Sequence, residues 1–398
     1  MKYKMTKSMI GLLVITATTN SVVGAQDLDT LTSELESLAA RVDQLQRDSA
    51  SNRQAAEWRY SDSLVYLSGY ADTGYVDSDS GDGDFGVGRF APIFHYQFRD
   101  QVMLESELEI EVGNDGETEV KLEYLSVDLF LNDYVTLIAG KFLSPIGQFR
   151  QNLHPSWINK LASAPTGFGH DGAAPVSDIG LQLRGGFPLG EMRSNYAVYV
   201  SNGPTLLAEF EDGEFELDGI EAEGTNSDDD GEKVYGGRFG IFPFTSLEIG
   251  FSMATGKATV SDIEDGDSSI LSGEGSRDYD VIGADFGYQH NNFYLRGEYV
   301  RSEVGGTNAG VAASEGAIWT TWYTQASYRA GQSKYEYVAR HTDFDSPHSS
   351  NDQKQWALGI NYLFTSSTVL KLTYEFNDGM SGFESDEDRL LLQLTYGF

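Results

Sequence analysis

From Leu64 to Phe398 the apolar residues recur with a period of two, and no apolar run in that stretch is long enough to be a membrane helix. A helical span needs about 20 consecutive apolar residues, so any membrane crossing by this chain must be made of strands. The last segment is the clearest. Leu390, Leu392, Leu394, Tyr396 and Phe398 alternate with Arg389, Leu391, Gln393, Thr395 and Gly397. Trp356, Leu358, Ile360, Tyr362 and Phe364 repeat the pattern, as do Leu247, Ile249, Phe251 and Met253. Val102, Leu104, Leu108 and Ile110 alternate with Met103, Glu105, Glu107, Glu109 and Glu111. Successive side chains of a strand point to opposite faces, so each segment has one apolar face that must meet a protein core or lipid.

Three features favour lipid. Sixteen strands are expected, beginning near residues 64, 86, 101, 118, 133, 176, 190, 233, 245, 278, 292, 318, 333, 353, 366 and 387, and single-chain bacterial barrels have even strand numbers. Alternate connections are tight, at Arg99-Asp100, Asn132-Asp133, Pro243-Phe244, His290-Asn291 and Ala330-Gly331. The others run long and acidic, at 143–175, 202–232 and 256–277. Short periplasmic turns facing long external loops are the barrel arrangement. Aromatic residues gather beside the short turns, as in Phe94/Tyr96/Phe98, Tyr288/Phe293 and Tyr362/Phe364, where an interfacial girdle belongs. The expected fold is all-β, a 16-stranded antiparallel transmembrane β-barrel over 64–398. A barrel of that size encloses an aqueous channel rather than a packed interior.

The first residues have the make-up of an export signal over 1–25: Lys2, Lys4 and Lys7, an apolar run Met9–Ala17, and small residues at Val23-Gly24-Ala25. Leu28, Leu31, Leu35, Leu38, Val42 and Leu45 then follow heptad spacing, which predicts a coiled-coil oligomerisation helix over 26–50, on the periplasmic side. The alternative is one amphipathic helix folded against the barrel. A polar linker covers 51–63. The chain contains no cysteine, which excludes a disulfide framework, thiolate metal sites and Cys nucleophiles. Its net charge of −34 repels phosphate backbones, so no nucleic-acid partner is expected.

If the apolar phase faces lipid, the other phase lines the lumen. Arg89, Arg184, Arg193, Arg238, Arg296, Arg329, Arg340 and Lys371 all fall on it, with Glu105, Glu107 and Glu109. An arginine facing mid-bilayer costs ~2–4 kcal/mol, so their agreement in phase fixes the register. Between 119 and 131 the phase slips around Tyr124-Leu125, which predicts a bulge.

The segment 143–175 is long, lacks strand alternation, and carries Pro145-Ile146-Gly147 and His154-Pro155-Ser156-Trp157, with a short helix expected at 158–162. Unstructured insertions of this length in compact folds are usually functional. The stretch AGKFLSPIGQFRQNLHPSWINKL resembles the corresponding region of the phosphate-selective porin (O and P) family and related trimeric porins, and the resemblance extends loosely from residue 64 to the end. It implies a homotrimer in the bacterial outer membrane, passing small polar or ionic solutes such as phosphate, with 143–175 folded inward as a constriction. By that resemblance Lys141, Arg150, His154 and Lys160 become pore-constriction residues. Both charge signs line the expected lumen, so ion preference stays open.

Other motifs carry less. Gly81-Asp82-Gly83-Asp84-Phe85-Gly86 fits a dinucleotide fingerprint but opens no helix. Asp77-Ser78-Asp79-Ser80-Gly81 starts like a calcium loop without completing one, and Asp228–Glu232 is an acidic turn. The six histidines have no HExxH spacing and no G-x-S-x-G occurs, so neither an enzyme nor a resident metal or cofactor is expected. The competing function is a structural anchor tethering the outer membrane through the coiled coil.

Overall fold

The computed structural model describes residues 63–398, apart from 87, 114, 170–171, 212–213, 227, 229, 264–273 and 310–313. It also describes four positions of a separate N-terminal unit, Met1–Asp62, where Ser37, Ala40, Arg41 and Gln44 are helical and exposed. The signal segment, the linker up to residue 62 and the heptad positions Leu28 to Leu45 lie outside the described residues.

The chain runs through β1 (Ser63–Ser78), a three-residue β2 (Asp84–Gly86), β3 (Arg89–Phe98), β4 (Val102–Val112), β5 (Thr118–Asn132) and β6 (Val135–Leu143). After the long insertion come β7 (Ser177–Leu189), β8 (Met192–Ser201) and a hairpin of β9 (Thr205–Glu211) and β10 (Glu214–Glu221). Then follow β11 (Val234–Phe244), β12 (Leu247–Ile263), β13 (Arg277–His290), β14 (Phe293–Val304) and β15 (Ala317–Arg329). The last four are β16 (Tyr335–Asp345), β17 (Gln353–Leu363), β18 (Thr368–Gly379) and β19 (Arg389–Gly397). Setting aside β2, β9 and β10, sixteen strands pair antiparallel around a closed ring, with β8 joined to β11 and β19 to β1. β1 is divided between two neighbours: Ser63–Ala71 pairs with β3 and Tyr70–Ser78 with β19.

Every expected strand is present, each starting within a few residues of its sequence position. Two corrections follow from the additional strands. The 202–232 connection is not simply an acidic loop, because it holds the β9–β10 hairpin, whose Leu206, Ala208, Leu217 and Ile220 are buried. The Gly81–Gly86 stretch ends in β2, whose Asp84–Gly86 pairs with β1, Gly74 opposite Gly86. A third correction concerns a turn: Pro243-Phe244 ends β11, and the reversal is made by Thr245 and Ser246. At the other tight turns the backbone enters the left-handed region at Arg99, Asn291 and Gly331, a conformation that glycine and asparagine adopt at least cost.

The two phases separate as the alternation requires. Leu183, Phe251, Met253, Trp356 and Leu394 are exposed on the outer face, whereas Arg238, Arg340, Lys371 and Glu375 are buried inside. Large apolar side chains left exposed around most of a closed barrel fit contact with lipid. The bulge falls where the phase slips: Glu107 lies opposite Tyr124 and Leu108 opposite Leu122, leaving Glu123 as the extra residue. That single insertion keeps both Leu122 and Leu125 on the outer face while Glu123 and Ser126 stay buried.

Candidate functional site: the inserted segment and the charged lumen

The connection between β6 and β7 folds into the barrel. Its prolines and glycines deny it strand pairing, so its backbone groups need partners from the wall. The amides of Gln148 and Phe149 donate to the Glu298 carboxylate on β14, at 2.8 and 3.1 Å. Ser156 Oγ meets Thr395 Oγ1 on β19 at 2.8 Å. Lys371 on β18 donates to the carbonyls of Ser156 and Leu161, at 2.5 and 3.1 Å. Arg340 on β16 donates to the carbonyls of Ser163 and Ala164, both at 3.0 Å, while Ser163 Oγ bonds Glu375. Thr321 on β15 and Ser302 on β14 donate to the carbonyls of Thr166 and Ala173, at 2.7 and 2.6 Å.

An apolar contact reinforces these bonds. Phe149, Phe168 and Tyr323 meet edge to face, with Phe168 and Tyr323 centroids 5.1 Å apart, beside buried Ile146, Ala173 and Ala174. Helical structure in the insertion forms at Phe149–Leu153, whereas 158–162, expected to be helical, is turns and bends that follow the wall. The reason is partnership. The Ala162 amide, which would close a helical turn on the Ile158 carbonyl, donates instead to Thr373 Oγ1 on β18 at 3.2 Å.

The four residues suggested by the resemblance occupy different places. Arg150 and His154 sit together at the β4–β5 side. Arg150 is 7% exposed and lies in the field of Glu123, Glu223 and Glu109. His154 Nδ1 donates to the Arg150 carbonyl at 2.5 Å, its Nε2 is 3.7 Å from Glu107, and its ring lies edge-on to Tyr70. Lys160 is at the opposite wall, 2.5 Å from Glu336 on β16. Lys141 is on the outer phase of β6, in register with Leu125 and Ile179, where it lines an external cleft with Glu123 and Glu223.

Most of the lumen cations meet a carboxylate. Arg89 is 2.6 Å from Glu109, and Glu105 is 3.0 Å from His95. Arg184 reaches Asp128 at 3.1 Å. Arg238 forms a fork on Asp285, at 2.8 and 2.6 Å, and reaches Glu248 at 3.0 Å. Arg340 is 3.8 Å from Glu375, which also holds Arg389 at 2.7 Å. Arg296 lies over the Tyr294 ring and, in the amide orientation that satisfies both groups, donates to Gln325. Arg193 and Arg329 stand near the short-turn rim, the first over Phe242 and the second 2.6 Å from the Ser333 carbonyl.

Two of the cavities beside the insertion adjoin its 148–155 stretch. One, of about 650 Å³, is lined by Glu105, Glu107, Asp128, Gln151, His154 and Arg184. The other, of about 1310 Å³, is lined by Gln148, Gln151, Asn152, Arg184, Arg238 and Glu248. They share Gln151 and Arg184, so the space on this side of the barrel is edged by both signs of charge. Asp128 was missed in the sequence because it lies beyond the bulge, where simple alternation loses phase. The wall groups that hold the insertion (Ser252, Ser302, Thr321, Asn361) are small polar residues on the inward phase, and that phase was the only signal available for them. The acidic Asp228–Glu232 turn is largely satisfied by its own backbone and by Lys233: Asp228 accepts from Gly231 and pairs with Lys233, and Asp230 accepts from Glu232.

No protein-family model matches the sequence, and no curated protein matches it. Solved structures do match the fold. An anion-selective porin from Comamonas acidovorans superposes with a TM-score of 0.55 at 17% identity, covering 84% of this chain and 100% of that one. The outer-membrane channel DcaP of Acinetobacter baumannii gives 0.54 at 10% identity, over 84% and 97%. The trimer form of OmpT, an outer-membrane protein of Vibrio cholerae, gives 0.53 at 12% identity, over 84% and 99%.

Proposed function

Starting from a chain with the fold of the bacterial outer-membrane porins, we propose that it is an outer-membrane channel for the passive diffusion of small polar or ionic solutes. The observation that carries the reading is the inserted segment. A closed barrel with an apolar exterior has no need of an internal bridge for its own stability, yet this one spends wall groups from β12 to β19 on holding 144–176 across its lumen. A bridge held so firmly beside charged cavities serves to set the width and polarity of a passage. Planar-bilayer recording of the purified protein is expected to give stepwise, ohmic conductance. Preparations that insert without any steps would defeat the proposal.

Anions such as phosphate belong among the solutes considered, but the ion pairing supports a general polar channel over a dedicated anion path. Arg89, Arg184, Arg238 and Arg340 each face a carboxylate, so few lumen cations are left to attract anions, while the external loops are acidic. Arg238→Ala leaves Asp285, which is 4% exposed, without its forked partner. The reversal potential in asymmetric salt is expected to move toward cation preference in that variant. A reversal potential unchanged from wild type would place Arg238 outside the conduction path.

The heptads of residues 28–45 support oligomerisation through a periplasmic coiled coil, and the resemblance to trimeric porins makes a homotrimer the assembly to test. Deleting 27–50 is expected to abolish the oligomer on native gels while bilayer conductance persists. Loss of envelope attachment with an intact oligomer would instead favour the tether reading, in which the barrel serves as an anchor.

A further inference from the structure

The β9–β10 hairpin is inserted between two barrel strands, but it leans away from both. β9 pairs in parallel with the end of β12, Thr205 opposite Thr259 and Ala208 opposite Ile263. The buried Leu206, Ala208, Leu217 and Ile220 join the same apolar cluster as Phe149, Phe168 and Ala173 of the inserted segment. Its far side touches the β16–β17 connection, where the His348 imidazole Nε2 lies 2.8 Å from the Leu217 carbonyl. The hairpin thus rests on the bridge from the external side and reaches from the wall at β12 to the wall at β16.

Three side chains converge at that contact. Glu209 on β9, Asp218 on β10 and His348 place ligand atoms within 4.8 Å of one another, and His348 Nε2 is 4.0 Å from Asp218 Oδ1. Two features make this more than a chance meeting of acidic residues. His348 is 8% exposed, so its ring is committed to this spot. Asp218 is the bulged residue of the hairpin: the pairing steps from Leu217 opposite Ala208 to Gly219 opposite Leu207, leaving Asp218 without an opposite number. A bulge re-aims one side chain while the strand continues, and here the side chain re-aimed is the carboxylate nearest the imidazole.

We propose that Glu209, Asp218 and His348 form a divalent-metal site that latches the hairpin to the β16–β17 connection. One imidazole nitrogen and two carboxylates, with the Leu217 carbonyl adjacent, are a donor set for a first-row ion of the zinc type; calcium takes more oxygens and rarely nitrogen. Binding moves the His348 proton from Nε2 to Nδ1, frees the Nε2 lone pair for the ion, and breaks the bond to Leu217. Two carboxylates then neutralise the ion's charge. Zinc–ligand bonds of ~2.0–2.2 Å require the three groups to draw together by on the order of 1 Å, within reach of side-chain rotation. The site stands on this geometry whether or not the barrel conducts. On the channel reading it would brace the constriction from outside.

Calorimetric titration of zinc into the detergent-folded, full-length protein tests the proposal. One saturable site per chain is expected, weakened at least about tenfold in His348→Ala and in Asp218→Asn. In both variants the circular dichroism of the barrel should match wild type. Glu209→Gln, a milder change on a less buried residue, should weaken binding in the same direction if either of the others misfolds. Zinc should also slow protease cleavage within 205–221 in wild type and not in the variants. Absence of saturable binding, equal affinity in wild type and all three variants, or tighter binding of calcium than of zinc would overturn the assignment.

Discussion

Replacing Lys371 with methionine is expected to raise single-channel conductance and make the open level noisy. Lys371 is 1% exposed, and its ammonium holds the carbonyls of Ser156 and Leu161 together with the Gln393 amide oxygen at 2.9 Å. The methionine fills the space but leaves those oxygens dry and without a donor. Leaving a buried oxygen without its donor costs about 1–3 kcal/mol, which shifts the docked population of the 156–161 stretch on the order of tenfold or more. Enough undocking to be seen in a current trace should follow. Lys371→Arg keeps the donors and should stay closer to wild type. A methionine variant with wild-type conductance and noise would mean that this stretch does not limit the pore.

The second large effect is on stability. Leu183→Arg should lower the barrel's folding free energy in lipid bilayers by ~2–4 kcal/mol, read as a drop in the urea midpoint for refolding into vesicles. Leu183 is 39% exposed on the outer phase near the middle of β7. The next residue, Arg184, already carries the same guanidinium on the inner phase, where it meets Asp128. Adjacent positions on one strand thus separate the two environments with little change in chain context. A Leu183→Arg barrel as stable as the parent would show that this face does not meet hydrocarbon.

The strands were legible because each records its environment at every second residue, and an arginine on the wrong phase would be expensive. The bulge was legible for the same reason: around Tyr124 the alternation breaks and then resumes. The hairpin was overlooked although its signal was present. Ala208–Glu211 and Glu214–Asp218 alternate apolar with acidic residues around Asp212-Gly213, a hairpin-turn pair, but their acidity makes them look like solvated loop. The insertion's existence could be read from its length and prolines, whereas its path could not. That path is set by contacts such as Gln148 to Glu298 and Ser156 to Thr395, whose partners lie 150 and 239 residues apart. Local pattern carries no trace of which wall group will meet which carbonyl. For the same reason Lys141 and Lys160 end up at other parts of the wall, away from Arg150 and His154, which stay together.

The divided pairing of β1 has a consequence for how the ring closes. The final residue, Phe398, exchanges two backbone bonds with Gly69, at 3.0 and 2.9 Å, and the seam is completed only by β19. Without β19, β1 and β18 would both present raw strand edges. The ring closes through β19 alone at this seam, so the strand that carries the clearest alternation in the sequence is also the one that turns an open sheet into a tube.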